Sequence, residues 1–291
     1  EYYGTIKESG IGLACEEAAR IILSENRPFS METAACDEEY EPSSEYDSSF
    51  ALQIFAAREA VFKILAKESL SIHEKLIVIL DMGSKIQQCI NTDEYDNIKS
   101  VVNDYLKEGI AHTLDETRNL SDSGQFEDIS LQQGIRQILY PYEEMEVLNP
   151  EWEVILKDII DSLFEQMSDE EYNILNEEFG TYMVSRAYEY RQLLEYLVFR
   201  YFAKSIYDYD FLGKCQMLVT NFFVIRQMDI IRWLDNHREY SFKDRMDVVH
   251  IFSRQVEYSE DNIENLYEDF IFDDIFKTDS LIAILWIDSE N

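Results

Sequence analysis

Three side chains able to move protons or hold charged ligands, His250, Arg254 and Glu257, recur at spacings of four and three residues within SFKDRMDVVHIFSRQVEYSEDN, residues 241–262. On an α-helix turning about 100° per residue they fall within roughly 60° of one another. A carboxylate such as Glu257 can hold an incoming ammonium or accept a proton. Arg254 can grip a carboxylate through two parallel N–H bonds, a geometry lysine cannot supply. The same spacing also suits an ion-pair network that keeps helices in register, with Arg200, Lys204, Arg226 and Arg232 as partners. The residues alone leave both readings open.

The element that would position them is a helix over 242–257. Ser241 with Asp244 three residues on is a capping-box signature. Phe242, Met246, Val249, Phe252 and Val256 then form one apolar face. His250, Arg254 and Glu257 flank that face, so Arg254 and Glu257 are expected to be sheltered and to face the segment near residue 200. That segment is crowded with tyrosines: Tyr182, Tyr188, Tyr190, Tyr196, Tyr201, Tyr207 and Tyr209. Such rings pack helix interfaces or cage a cation. Tyr196 and Arg200 sit one helical turn apart.

Further helical patterns are predicted near 15–25, over a hairpin spanning 50–91 with Ser71 and Glu74 as a second capping box, and near 94–108, 127–140 and 151–166. A short helix near 169–178 precedes Gly180, and others fill 182–207, 211–236, 260–270 and 279–287. With 9 Gly and 4 Pro in 291 residues, turns are scarce. The expected fold class is all-α, a bundle or array of about ten helices. Residues 34–49, broken by Pro42, read as an exposed loop. A soft boundary near 115–125 separates an N-terminal region, 1–120, from a C-terminal bundle, 121–291.

Composition excludes several function classes. Fifty-nine acids against 25 bases give a net charge of −34, which repels nucleic acid and anionic lipid and favours a lysine-rich partner. Ten of the 25 bases fall within 186–245. They either line an internal groove for a carboxylate-bearing cofactor or neutralise acids inside one bundle. No window reads as a membrane span. Cys15, Cys36, Cys89 and Cys215 are far apart with no C-x-x-C, which points to a reducing cytoplasm. The glycine-rich nucleotide loops, H-E-x-x-H and G-x-S-x-G are missing.

Two stretches are distinctive together. EYYG (1–4) precedes GLACEEAARIIL (12–23), and LLEYLVFRYFAKSIYD (193–208) leads through FFVIRQMDIIRW (222–233) to FSRQVEYSEDNIENLY (252–267). In this combination the chain resembles the flagellin lysine-N-methylase family, FliB. Members read like S-C-P-E-A-A-R-L-I-L in the first stretch and S-R-E-x-E-H-S-x-x-N in the second. Here Glu16 stands where proline is common, and Gln255 and Tyr258 stand where Glu and His are common.

The resemblance implies methyl transfer from S-adenosylmethionine to the ε-amino groups of lysines on flagellin. It also implies an upstream cysteine-rich segment associated with an iron–sulfur cluster. The chain opens without Met and is expected to start just after that segment, with Cys15 as the candidate metal ligand it retains. Methyl transfer needs a neutral, aligned amine, and Glu257 and Tyr201 are the residues expected to take its proton. Arg254, His250, Arg200, Tyr196 and Asn262 are the expected substrate and cofactor contacts. The alternative is a helical binding or assembly module with no catalysis of its own.

Overall fold

Local capping decides where the helices begin. Asp47 accepts hydrogen bonds from the amides of Ser49 (2.8 Å) and Phe50 (3.2 Å), and α2 (Ser48–Leu65) starts there. The box expected at Ser71 forms, with Glu74 bonded back to the Ser71 amide at 2.7 Å, and opens α3 (Ile72–Asn91). The box at Ser241 likewise opens α12 (Phe242–Phe252), where Asp244 accepts from the Ser241 amide at 2.7 Å. Each satisfies amides that a helix start leaves unpaired.

The computed structural model describes residues 2–4, 6–27, 29–32, 34–35, 47–122 and 129–290. Besides α2, α3 and α12, the α-helices in chain order are α1 (Glu16–Leu23), α4 (Ile98–Asp104), α5 (Ile110–Asp122), α6 (Leu131–Glu143) and α7 (Pro150–Ile159). They are followed by α8 (Asp169–Met183), α9 (Ala187–Tyr201), α10 (Ser205–Asp208), α11 (Phe211–Asp235), α13 (Glu260–Phe272) and α14 (Thr278–Glu290). Turns of π or 3-10 type join α4 to α5 and α8 to α9 and α10, so the described residues form eleven continuous helical runs. The array is all-α, as the periodicity implied. A hairpin of two-residue strands, β1 (Tyr2–Tyr3) and β2 (Ile6–Lys7), adds a short sheet around Gly4, whose φ of 61° suits glycine.

α11 is the axle of the fold. Its 25 residues span about 37 Å, and nearly all from Gly213 to Ile231 are buried. A helix covered on all sides belongs at the centre of a core. α3 and α14 pack against one another and α3 lies along α11; α2 packs on α4 and α9; α1 packs on α9 and α12. The close approach of α3 and α11 depends on Gly83, where a Cβ would stand 2.5 Å from Cys215 Sγ. The buried apolar side chains, from Tyr3 to Trp286, form a single cluster.

Two boundaries differ from the sequence reading. The helix expected over 94–108 passes through a π turn at Tyr105–Gly109 and continues to Asp122, so residues 115–122 of the expected linker are helical. Gly180 lies inside α8, which runs on to Met183, and does not end the helix. Of the loop expected over 34–49, residues 34, 35 and 47–49 are exposed, and 36–46, with Cys36, lie outside the described residues. No helix among the described residues is long and apolar enough to cross a membrane.

Candidate functional site

The helix that carries the sequence motif does not keep α-helical register to its end. α12 gives way to a π turn over Ser253–Glu257. A π turn holds an extra residue, and such turns often mark functional sites. Ser253, Gln255, Val256 and Glu257 are all buried within it. Arg254 is exposed, and His250 is half-buried with its Nδ1 lacking a hydrogen-bond partner. The expectation that Arg254 and Glu257 are sheltered together therefore holds for Glu257 alone. Regular helical geometry already sets Arg254 about 140° from Val249 at the centre of the apolar face, farther out than Glu257 at about 80°.

Glu257 meets the tyrosine-rich segment. Its Oε2 accepts hydrogen bonds from Tyr196 (2.6 Å) and Tyr201 (3.3 Å). The Arg200 Nε lies 3.6 Å from the same oxygen. The Glu257 side chain is only 2% exposed, whereas that of Arg200 is 38% exposed. Arg200 is thus the edge of the cluster nearest to solvent. Oε1 of Glu257, Oγ of Ser253 and Nε of Arg200 are buried without hydrogen-bond partners. The Ser253 hydroxyl stands near enough to favour the charged carboxylate but falls short of hydrogen-bond geometry.

The acidities follow from this packing. Burial pushes the Glu257 carboxyl above its ordinary range, against the opposing pull of the Tyr196 and Ser253 hydroxyls and the Arg200 charge. Burial also raises the Tyr196 and Tyr201 phenols, and the neighbouring Glu257 charge raises them further. Both phenols remain proton donors at neutral pH. Tyr201, expected as a proton acceptor, is instead held as a donor, and Glu257 is the group with accepting capacity.

A segment the sequence analysis did not assign to the site completes it. The Leu13 amide donates to the Tyr196 hydroxyl at 3.4 Å. A Cβ at Gly10 would stand 2.7 Å from the Phe199 ring, and one at Gly12 would stand 3.7 Å from the Tyr196 hydroxyl. Gly10 was the available signal, since its bare backbone permits close approach to the Phe199 ring.

Other expected residues lie elsewhere. The Asn262 side chain accepts from the Glu146 amide (3.0 Å) and donates to the Glu146 carbonyl (3.1 Å) and the Gln255 carbonyl (3.3 Å). Gln255 accepts from the amides of Leu148 (2.9 Å) and Asn149 (3.1 Å). Asn262 is therefore a clamp on the 146–149 loop, with both ends of its amide committed. Cys15 is exposed at the start of α1. Among the described residues no group of three or more His, Cys, Asp or Glu is placed to hold a metal ion.

The basic section over 186–245 is largely spent on carboxylates of the same bundle. Arg186 pairs with Glu189 (2.7 Å), Arg191 with Glu195 (2.8 Å), Lys214 with Asp208 (2.7 Å) and Arg238 with Glu178 (2.6 Å). Arg245 pairs with both Glu189 (2.9 Å) and Asp229 (2.6 Å). Neutralisation of internal acids, the second of the two accounts, describes these cations. The network around Asp229 was missed. Its signal was a carboxylate, Asp229, within a largely apolar helix stretch that also carries Arg226, Gln227 and Arg232, FFVIRQMDIIRW.

A family model described as FliB lysine N-methylase C-terminal domain matches residues 58–284, most of the chain. The chain belongs to the FliB family. The matched FliB region holds Tyr196, Arg200, Tyr201, Ser253 and Glu257, while Gly10–Leu13 precedes it. No curated protein and no solved structure matches the chain.

Proposed function

We propose that this chain is the C-terminal part of a cytoplasmic protein-lysine N-methyltransferase that modifies flagellin with S-adenosylmethionine as donor. The Glu257 cluster is the centre that prepares the lysine. One observation carries the reading beyond the family match: a buried carboxylate, held by two phenols, keeps one oxygen without a partner. The methyl donor, when bound, offers an electrophilic methyl group on a sulfonium, which the lysine nitrogen takes by forming N–C as C–S breaks and the bonding pair stays on sulfur.

The nitrogen carries an extra proton either before or after that exchange. Glu257 is suited to take it, because burial raises its affinity for a proton. Tyr196 and Tyr201 fix the carboxylate through Oε2, and Oε1 is buried without a hydrogen-bond partner. Alignment supplies more of the rate than proton transfer does, so the two phenols matter chiefly by holding Glu257 still. Arg254 and Asn262 have no part in this centre. No step is assigned to an iron–sulfur cluster.

The test is incubation of the intact protein, and of this chain separately, with isotopically labelled S-adenosylmethionine and flagellin, followed by mass analysis for methyl-lysine. Labelling by the intact protein that disappears in Glu257→Gln supports the reading. Flagellin binding without labelling by either would favour a non-catalytic helical module.

A further inference from the structure

The turn from α13 into α14 holds large apolar side chains in water. Phe270 and Phe276 are both buried with their rings 5.1 Å apart, and Gln216 on α11 donates to the Phe276 carbonyl at 2.8 Å. These contacts brace the turn. Between them in the chain, Ile271 and Phe272 are 74% and 78% exposed. Single exposed apolar residues are ordinary, but an adjacent pair on a braced turn marks a contact surface. A groove of about 500 Å³ is lined by Arg136, Gln137, Tyr140, Asp273, Asp274 and Ile275. Asp273 follows Phe272 directly, so groove and pair adjoin.

The charge of this face is uncompensated. Arg136 is taken by Glu143 and Lys277 by Asp274. No cation among the described residues pairs with Glu144, Glu268, Asp269 or Asp273. These four acids stand close together: burial and the charges of Asp273, Glu144 and Glu268 push the Asp269 carboxyl above its ordinary range. Acids gathered without a counter-ion repel one another and attract a cation.

That charge selects the occupant. A second copy docked through the same face would set the four acids against their duplicates. Residues 36–46 and 123–128, the longest stretches outside the described residues, contain no Lys or Arg. A segment of another protein with lysines or arginines around a large apolar side chain meets both halves of the surface.

We propose that the face formed by Ile271, Phe272 and the groove at Tyr140 and Asp273 is a docking surface for a basic peptide segment of another protein, its apolar side chain packed on the pair and groove and its cations on Glu144, Glu268, Asp269 and Asp273. The face lies at the end of α13, about 20 Å along that helix from its start near the Glu257 turn. It does not rest on the reading of the Glu257 cluster.

The probe is a fluorescein-labelled helical peptide of leucines and lysines, titrated into the protein by fluorescence anisotropy. Two controls replace its leucines with serine or its lysines with glutamate. Both should bind at least about tenfold more weakly, and added salt should weaken the parent peptide. Ile271→Ser with Phe272→Ser should weaken the parent about tenfold, and Glu268→Gln with Asp273→Asn should also weaken it. Val184→Ser with Glu177→Gln, exposed positions on α8 and the turn after it, should leave affinity unchanged. All these side chains are exposed, so the variants keep the fold. The proposal is overturned by equal binding of the serine control, which would leave only general attraction to an acidic protein. Undiminished binding in the Ile271→Ser, Phe272→Ser variant, equal weakening in the Val184→Ser, Glu177→Gln variant, or no binding up to about 1 mM would overturn it as well. So would concentration-dependent dimerisation in sedimentation that Phe272→Ser abolishes, because the face would then belong to a second copy.

Discussion

Two clusters in this molecule are built from the same parts, a buried carboxylate, two tyrosines and an arginine, yet are finished differently. Asp229 on α11 accepts from Tyr190 (2.6 Å) and Arg245 (2.6 Å) on Oδ2 and from Tyr240 on Oδ1. Arg245 is 1% exposed and also holds Glu189. Both oxygens of Asp229 are used, and α9, α11 and α12 are locked together. Glu257 has one oxygen used and one free, and its arginine stands 3.6 Å away with 38% of its side chain in solvent. Burial pushes both carboxyls above their ordinary range, making each a weaker acid. What separates the two is an unpartnered carboxylate oxygen together with an arginine at an exposed edge.

The largest expected effect breaks the lock. Arg245→Ala leaves Asp229 buried without its cation and Glu189 with Arg186 alone, and urea unfolding should show a loss of about 3–5 kcal/mol. Glu257→Gln should do the opposite. It keeps an oxygen for the two phenols, so stability should change by less than ~1 kcal/mol, while methylation falls about 100-fold or more through loss of the proton acceptor. Comparable stability losses in the two variants would erase the distinction.

A third buried carboxylate sharpens the comparison through pH. Burial alone would raise Asp288, but Arg226, His73 and Asn176 hold it down to about 2. His73 Nε2 is 2.6 Å from Asp288 Oδ2, tying α14 to α3. A folded-state value below the ordinary 3.8 means this stabilisation is complete above about pH 4 and is lost as pH falls through 2. It amounts to about 2 kcal/mol. Acid titration of the urea midpoint should show this loss in the native protein and a shallower one in Asp288→Asn. Asp229 and Glu257, raised instead, have the opposite sign: their contribution is greatest at low pH and declines as pH rises through their folded values. The smallest effect is reserved for Arg254→Ala. That side chain is exposed, and its loss should change stability by less than ~0.5 kcal/mol in the same assay.

Features set by near neighbours in the chain were legible. The boxes at Ser71–Glu74 and Ser241–Asp244 formed because each joins residues three apart, with no help from distant elements. The apolar stripe of 242–256 turned inward, and Glu257 met the tyrosine-rich segment near residue 200. Arg254 was misplaced because lying beside an apolar face does not by itself bury a side chain; shelter depends on which distant element covers that edge, and Arg254 stays exposed. Asn262 was misplaced because its partners are the backbone of residue 146 and the carbonyl of Gln255.

By itself, then, the amino-acid order set the helices, their starts, their greasy faces and the family to which the chain belongs, since periodicity and caps act over one or two turns. The fold alone chose which buried acids would be saturated and which would keep a lone pair. That choice depends on angstrom-scale packing between segments far apart in the chain, such as Leu13 against Tyr196 and Tyr196 against Glu257.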